Sequence, residues 1–380
     1  MTTAPHERSR NAVRNATGPS SALEQRLIEL IKAHGPISVA DYMSDALFHP
    51  NDGYYMSQSP IGARGDFTTA PEVSQIFGEL IGLWLVQSWI DLGEPDAFTL
   101  VELGPGRGVL MRDALRAAKL SPAFLDAIDV QLVETSGRMR LEQQKRLKDA
   151  PVPLAWKDAF HDTNDGPILI IANELFDCLP IRQFEMTTDG WRERMVNVDD
   201  AGEGLVFSTA FAPPLTIEGA PDAAPEGAIY EWSEPAEQLA EEIAKRLADH
   251  PGRALIIDYA HVRAGLGDTL QSVKGHGAWP PLAAPGHADI TAHVNFDRLI
   301  ERAFDAGAAA YGPVAQGTLL DRLGLTMRVE RLCAGKPQDI VKDIEAGAFR
   351  IAASSEMGEL FKAICISSPD LPPAPGFDAP

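Results

Sequence analysis

The sequence predicts an α/β fold with a mostly parallel sheet, and three observations lead to it. Short apolar runs of strand length alternate with helical patterns, the runs being FTLVELG, AIDVQLVETS, PILIIANEL and RALIIDYA. This alternation is typical of strand–helix–strand units that pair in parallel. A glycine-rich turn follows the first run, and the length of 380 residues favours one enlarged α/β domain or two closely associated domains.

Composition and charge restrict the class of protein. Hydrophobic residues make up 45% and charged residues 23%, which is typical of soluble globular proteins. The formal net charge of −21, from 54 acidic and 33 basic residues, opposes attraction to phosphate backbones. The same charge would attract a cationic segment, although an acidic surface is also a common route to solubility. We therefore expect no nucleic-acid partner.

The cysteines and apolar runs indicate the compartment. Cys178, Cys333 and Cys365 are few and far apart, which fits a reducing compartment and implies neither a disulfide framework nor a metal site. The first residues lack the apolar core of a secretory signal, and no later run approaches the ~20 apolar residues of a membrane span. We expect a cytoplasmic protein without membrane insertion.

The pattern along the chain divides it into successive segments. The first is polar and non-periodic, so it cannot bury enough apolar surface to offset the entropy of ordering. Amphipathic helices such as LEQRLIELIKAH, which ends before Gly35, come next. The predicted segments are a disordered tail (1–20), a helical N-terminal segment with a glycine-studded loop (21–95), an α/β core with a hairpin insertion near 182–230 (96–260), a region with helices and the last strands on the substrate side (261–367), and an irregular tail (368–380).

The strongest chemical signal is the glycine-rich turn after the first strand. Glu102 precedes Gly104, Gly106 and Gly108, and a helical pattern follows. The dinucleotide fingerprint would require glycine where Val109 stands, which disfavours a nicotinamide dehydrogenase. The spacing E-x-G-x-G-x-G instead resembles motif I of class I S-adenosylmethionine-dependent methyltransferases. In that motif the acid orients the amino-acid portion of the cofactor and the glycines admit it.

Two further acids are candidates for the same cofactor. Glu134 ends the next strand, where an acid can accept hydrogen bonds from both ribose hydroxyls, although a solvated strand-end carboxylate is the alternative. Asp158 precedes PILII and could accept from the exocyclic amine of adenine. Trp156 or Phe160 could stack on the ring, but either is equally compatible with the core.

Three segments together resemble the MidA-type methyltransferases, namely GARGDFTTAPEVSQIFGELIG, LVELGPGRG and NELFDCLPIRQF. With HPNDGYY and ADITAHVNF, the resemblance spans roughly residues 22–367. It implies a Rossmann-like class I core with a mostly parallel seven-stranded sheet, a helical preface and S-adenosylmethionine as methyl donor. It also implies methylation of a protein arginine, since the mitochondrial member of the family acts as an arginine methyltransferase in the assembly of respiratory complex I. Cys178 is a mild departure from a small residue in many relatives.

The segment from Asn173 to Asp177 follows a strand and emerges at the same sheet edge as the glycine turn. A guanidinium nucleophile must be held, aligned with the sulfonium and relieved of a proton. Glu174 and Asp177 suit that work as catalytic residues, and Asn173 is a candidate cofactor contact. The alternative is that Glu174 caps the turn and Asp177 is merely exposed.

The loop before Ser74 lies over the cofactor like a lid if the resemblance holds, and Asp66 and Thr68 could bond to the cofactor there. An ordinary helix start explains Thr69, as N-cap, and Glu72, in the first turn, equally well.

Three residues are candidates for the acceptor pocket on weaker evidence. Asp258 and Tyr259 end the strand ALIIDY, and His293 lies in ADITAHVNF. A single loop histidine is more often a hydrogen-bonded structural residue than a base.

The sequence leaves several functions open. The first is methyl transfer to an arginine of a protein, by resemblance a complex I subunit. A methyltransferase acting on a small molecule would keep Glu102 and Glu134 but need not use the acids of the NELFD turn. An assembly chaperone with a vestigial cofactor site would keep its role without Glu102.

Overall fold

A computed structural model describes residues 21–58, 66, 68–261 and 266–378, with the side chains of 260 and 261 left out. The tail predicted over 1–20 lies outside the described residues. So does most of the predicted cofactor-covering loop, apart from Asp66 and the residues from Thr68 onward. Among the described residues no helix is both long and apolar enough to cross a membrane.

Helices and strands follow one another in the described chain, here numbered in chain order. The helices are α1 (Ala22–His34), α2 (Val39–Phe48), α3 (Tyr54–Ser57), α4 (Ala70–Val73), α5 (Gln75–Asp91), α6 (Val109–Ala118), α7 (Pro122–Ala127), α8 (Gly137–Arg146), α9 (Glu234–Asp249), α10 (Phe296–Asp305), α11 (Gln316–Arg322), α12 (Leu325–Cys333), α13 (Gln338–Ala352) and α14 (Met357–Leu360). The strands are β1 (Ile37–Ser38), β2 (Phe98–Leu103), β3 (Ile128–Val133), β4 (Leu154–Lys157), β5 (Ile168–Asn173), β6 (Arg182–Thr187), β7 (Gly190–Val198), β8 (Leu205–Thr209), β9 (Ile229–Trp232), β10 (Gly252–His261), β11 (Gln271–Lys274), β12 (Gly277–Trp279), β13 (Asp289–Thr291), β14 (Val294–Asn295), β15 (Ala309–Ala315) and β16 (Phe361–Ser367).

The chain forms two compact units, each assembled from separate segments. Unit 1 comprises Met1–Phe67, Cys178–Pro235 and Ala264–His293, and unit 2 comprises Thr68–Asp177, Ala236–Arg263 and Val294–Pro380. Helices α1, α2 and α3 and the insertion therefore belong to one unit, while α4 and α5 belong to the other. Sequence patterns did not indicate this grouping, because it depends on a pairing of β1 with β7, which are about 160 residues apart.

Unit 1 combines helices with antiparallel strands. In its described part, strands pair in the order β1-β7-β6-β9, with β8 on β7, and a smaller sheet has the order β12-β11-β13. Helix α2 begins with a capping box, in which Ser38 and Asp41 satisfy each other's backbone N–H groups. Aromatic and apolar side chains on β6, β7 and β9 form a small core, comprising Phe184, Met186, Trp191 and Tyr230.

Unit 2 contains the predicted parallel sheet. Its described strands follow the order β15-β16-β10-β5-β2-β3-β4, and the short β14 pairs with the end of β10. Strand β16 runs antiparallel to β10 and β15, while β10, β5, β2, β3 and β4 are mutually parallel. The four apolar runs are β2, β3, β5 and β10. The prediction of an α/β fold with a mostly parallel seven-stranded sheet is confirmed.

The register of the parallel strands determines which residues share an edge. Leu103 of β2 lies beside Val133 of β3 and Ala172 of β5, and Asn173 lies beside Ile257 of β10. The residues that follow each strand therefore leave the sheet at the same level. This edge is the place where open α/β sheets bind ligands.

Helices α5 and α6 of unit 2 pack closely against each other. A Cβ atom at Gly82 of α5 would lie 2.5 Å from the carbonyl oxygen and 2.8 Å from the Cα of Ala114 on α6. The helices can approach this far only because Gly82 has no side chain. A Cβ atom added to Gly137, at the start of α8, would meet no heavy atom within 4 Å.

Gly82→Ala should lower the melting temperature by several degrees. Overpacking typically costs about 1–3 kcal/mol, which exceeds the gain of about 1 kcal/mol in helix propensity. Gly137→Ala is the matched control and should leave the melting temperature unchanged or slightly raised. Thermal unfolding followed by circular dichroism tests this, and equal melting of both variants would contradict the close approach.

Candidate cofactor and active site

The glycine turn has the backbone conformation that its sequence predicted. Gly104, Gly106 and Gly108 have φ angles of 59°, 51° and 77°, in the left-handed region that disfavours side chains. A Cβ at Gly104 would also lie 2.8 Å from Cδ1 of Leu175. The turn thus exposes backbone rather than side chains at the carboxyl end of β2, as a close-fitting ligand requires.

Two buried oxygen atoms at this edge lack hydrogen-bond partners in the part of the chain that the structure describes. They are Oε2 of Glu102, near the end of β2, and Oδ1 of Asn173, at the end of the neighbouring β5. Burial raises the pKa of Glu102 to about 8. Unsatisfied buried acceptors are costly, so both positions favour a ligand that brings N–H groups or positive charge.

Glu134 follows β3 and is fixed by hydrogen bonds to both carboxylate oxygens. Oε1 accepts from the backbone N–H of Ser136 at 2.8 Å, and Oε2 accepts from Nε2 of Gln143 at 3.0 Å. Burial raises the pKa of Glu134, and these hydrogen bonds oppose that rise. Each carboxylate oxygen can accept a further bond, so a pair of ribose hydroxyls could still be held.

Asp158, the third acid predicted to contact the cofactor, is exposed, whereas Glu102 and Glu134 are not. The side chain of Asp158 is 82% exposed, and its carboxylate pairs with the guanidinium of Arg140 at 2.6 Å. Phe160 is buried, which favours the core alternative for that ring. Trp156 donates its indole N–H to Oε1 of Gln143 at 2.8 Å. Contact of Asp158 with adenine stays a prediction.

Glu174 follows β5 and combines a strained backbone with a bonded carboxylate. Its φ angle is +51°, which non-glycine residues rarely adopt and which occurs preferentially at functional sites. Oε1 accepts from the backbone N–H of Ala70 at 3.0 Å and from Nδ2 of Asn173 at 3.1 Å. The carboxylate is therefore held beside the orphan oxygen of Asn173, and it also satisfies the first turn of α4.

Asp258 does not line an acceptor pocket as predicted. Its side chain is completely buried, and Oδ2 accepts from the backbone N–H groups of Leu175, Phe176 and Asp177 at 3.1, 2.8 and 3.2 Å. Oδ1 accepts from the N–H of Tyr259 at 2.8 Å. Four backbone donors occupy the carboxylate, so Asp258 shapes the turn after β5 instead of meeting substrate. Burial raises its pKa to about 7 despite these bonds.

Asp177, Tyr259 and Thr68 are the remaining candidates of unit 2, and their roles stay predictions. Asp177, expected to be catalytic, is only 5% exposed. The ring of Tyr259 packs against Phe361 with centroids 4.1 Å apart, across a cross-strand pair. Thr68 is partly exposed just before α4.

Two candidates belong to unit 1. The carboxylate of Asp66 accepts from the hydroxyl of Tyr54 at 2.8 Å and from the N–H of Gly275 at 2.7 Å. Its carbonyl accepts from the N–H of His276. The backbone N–H of His293 donates to Oγ1 of Thr269 at 2.9 Å. These hydrogen bonds hold both residues within unit 1. Contact of Asp66 with the cofactor and of His293 with the substrate stays a prediction.

Sequence reasoning missed Gln143. This residue of helix α8 is fully buried and bonds to Gly106, Glu134 and Trp156. A signal was present, because Met139, Gln143 and Leu147 recur at four-residue spacing and are all buried. An amide inside an apolar stripe indicates a buried polar partner.

Sheet order, glycine turn and orphan acceptors together define a Rossmann-like α/β protein that binds its ligand at the carboxyl edge of the sheet. The model of a family described as S-adenosyl-L-methionine-dependent methyltransferases matches residues 80–314. The chain belongs to this family, and the predicted MidA-type resemblance is confirmed.

Curated relatives and a crystal structure agree with this assignment. The chain is 37% identical to "Protein arginine methyltransferase NDUFAF7, mitochondrial" of Mus musculus, covering 89% of the chain and 82% of the relative. It is 33% identical to the Homo sapiens protein of the same name, over 91% and 83%. A superfamily member from Burkholderia thailandensis bound to S-adenosyl-homocysteine has a TM-score of 0.81 and 28% identity, over 100% of this chain and 96% of that one. The protein is an S-adenosylmethionine-dependent methyltransferase.

The residues present fit S-adenosylmethionine. The amino-acid portion of this cofactor carries an ammonium group, which the orphan oxygens of Glu102 and Asn173 could receive. The glycine backbone leaves room beside them, and Glu134 offers its remaining lone pairs to vicinal hydroxyls. We propose these residues as the cofactor contacts.

Glu102→Gln should stabilise the cofactor-free protein increasingly as pH rises. The folded state favours the neutral carboxyl of Glu102, so its contribution to stability is lost between pH about 4.5 and about 8. Glutamine cannot ionise, so the melting temperature of the variant should exceed that of the wild type above pH 8, and the difference should fall to its smallest below pH about 4.5. Binding of S-adenosyl-homocysteine should weaken about tenfold or more, because a charged hydrogen bond is lost.

Melting curves across this pH range and calorimetric titration measure the two effects. The exposed Glu345→Gln on α13 controls for the loss of one negative charge. A pH-independent offset in melting temperature for Glu102→Gln would contradict the raised pKa. Unchanged binding would contradict the cofactor contact.

Proposed function

We propose that this methyltransferase modifies a side-chain nitrogen of arginine in a protein substrate. The observation that carries the proposal is Glu174, a carboxylate held at the cofactor edge by a left-handed backbone, beside Asn173. The curated relatives are named protein arginine methyltransferases, and the chain covers more than four fifths of the mouse and human proteins. The net charge of −21 favours encounter with cationic segments.

The proposed chemistry is a direct displacement. The cofactor supplies an electrophilic methyl group on a sulfonium. Glu174 holds the guanidinium in line with that group, so that a nitrogen forms the new N–C bond as the C–S bond breaks and its electron pair stays on sulfur. The same carboxylate, or a water at the edge, takes the proton that the nitrogen loses. Asp177 is a second candidate base, and Asp258 keeps the turn in shape through its backbone bonds.

Two finer assignments stay predictions. A respiratory complex I subunit as the substrate rests on the resemblance, and a cytoplasmic location rests on the cysteines and the apolar runs of the sequence. A small-molecule acceptor or a chaperone role are the alternatives, and substrate assays separate them.

The acceptor can be tested with two matched peptide libraries that contain either arginine or lysine at the variable position. Wild-type protein with S-adenosylmethionine should methylate arginine peptides, as detected by mass spectrometry. If S-adenosyl-homocysteine binds but neither library is methylated, or if lysine is preferred, the arginine proposal fails.

Glu174→Gln should lower turnover at least about 100-fold, in the range expected for loss of a general base, while S-adenosyl-homocysteine still binds. Glutamine preserves the acceptor oxygen that Ala70 and Asn173 use, so the turn should survive. Asp129→Asn removes an exposed carboxylate at the opposite end of β3 and is the matched control. Turnover within a few fold of the wild type would show that Glu174 is structural, and Asp177→Asn would then identify the alternative base.

A further inference from the structure

We propose that Gln143 is a positioning residue of the cofactor site, which orients the carboxylate of Glu134 and the glycine turn for the ribose of S-adenosylmethionine. The inference rests on the proposed ribose contact of Glu134. It assigns a function to helix α8, which lies outside the glycine turn and the strand ends.

Gln143 joins the ends of three neighbouring strands. Its Nε2 donates to the carbonyl of Gly106, after β2, at 2.7 Å and to Oε2 of Glu134, after β3, at 3.0 Å. Its Oε1 accepts from the indole N–H of Trp156, on β4, at 2.8 Å. Both N–H groups and the carbonyl of the amide are therefore used, and the side chain is completely buried.

The bonds on Glu134 explain why this position affects the ligand. Ser136 holds Oε1 and Gln143 holds Oε2, so the plane of the carboxylate is fixed from two sides. Two vicinal hydroxyls can bind both oxygens only if that plane is correctly oriented. Without Gln143, Glu134 would keep its charge and its backbone hydrogen bonds but lose the side-chain bond that orients Oε2.

The chemistry of the amide is specific. A carboxylate at position 143 would face the carbonyl of Gly106 and the carboxylate of Glu134, both of which are acceptors. An alanine would remove the donor to the carbonyl of Gly106 and to Oε2 of Glu134, and the acceptor of the indole N–H of Trp156. The neighbouring Gln144 is exposed on the same helix and has the same chemistry, which makes it a matched control.

A plain structural role and a positioning role predict different ligand preferences. If Gln143 only joins α8 to the sheet, its loss lowers the melting temperature and weakens all ligands to a similar degree. If it orients Glu134, its loss weakens chiefly those ligands that carry ribose hydroxyls. The useful readout is therefore the ratio of two affinities, which loss of stability alone would not change.

The experiment is calorimetric titration with S-adenosyl-homocysteine and with its 2′,3′-dideoxy analogue. Wild type and Gln144→Ala should prefer S-adenosyl-homocysteine by the same factor. Gln143→Ala should bind S-adenosyl-homocysteine about tenfold or more weakly, with a much smaller change for the analogue. Glu134→Ala should abolish the preference, and adding Gln143→Ala to it should change the ratio no further.

Trp156→Phe provides a milder test if Gln143→Ala does not fold. It removes the indole N–H that holds Oε1 of Gln143, together with part of the ring, so the preference should shrink in the same direction by a smaller factor. A wild-type ratio in a folded Gln143→Ala would overturn the positioning role. A wild type without preference would instead overturn the ribose contact of Glu134, and no binding at all would overturn the cofactor site.

Discussion

Parallel pairing of β2 with β3 and β5 is the constraint on which the rest of the site depends. It brings Gly104, Glu134 and Glu174 to one edge of the sheet although the first and last are 70 residues apart in the chain. Backbone hydrogen bonds set this alignment, and a slip of one residue would turn every side chain of a strand to the other face. The cofactor contacts, the strained turn after β5 and the anchoring of α8 all follow from that register.

The polar groups at this edge divide into satisfied and unsatisfied ones, and the division indicates their roles. Asp258 and Gln143 are as deeply buried as Glu102, but their hydrogen-bonding atoms are occupied by backbone and side-chain partners. Glu102 and Asn173 each keep a buried oxygen without a partner in the described part of the chain. Satisfied groups give the edge its shape, while unsatisfied ones provide affinity for a ligand with N–H groups.

Much of this arrangement could be predicted, and the failures share one cause. Strands β2, β3, β5 and β10 and the glycine turn were correct because apolar runs and glycine spacing are local signals. Asp258 was a candidate for the acceptor pocket because it lies near the end of the apolar run ALIIDY. What distinguishes it is a cluster of backbone N–H groups about 80 residues earlier, which no local pattern reveals. The partners of Gln143 were hidden for the same reason, although the spacing of Met139, Gln143 and Leu147 did indicate its burial.

The sequence by itself determined the fold class, the cofactor and the family, because the apolar strand runs and the E-x-G-x-G-x-G spacing are local patterns of neighbouring residues. Only the tertiary structure decided that the segments of each unit are interleaved along the chain, that Asp258 supports a turn, and that Gln143 joins three strand ends. The physical reason is that a hydrogen bond depends on distance and direction in space. The partner of a buried polar group is therefore known only once the strands have been aligned.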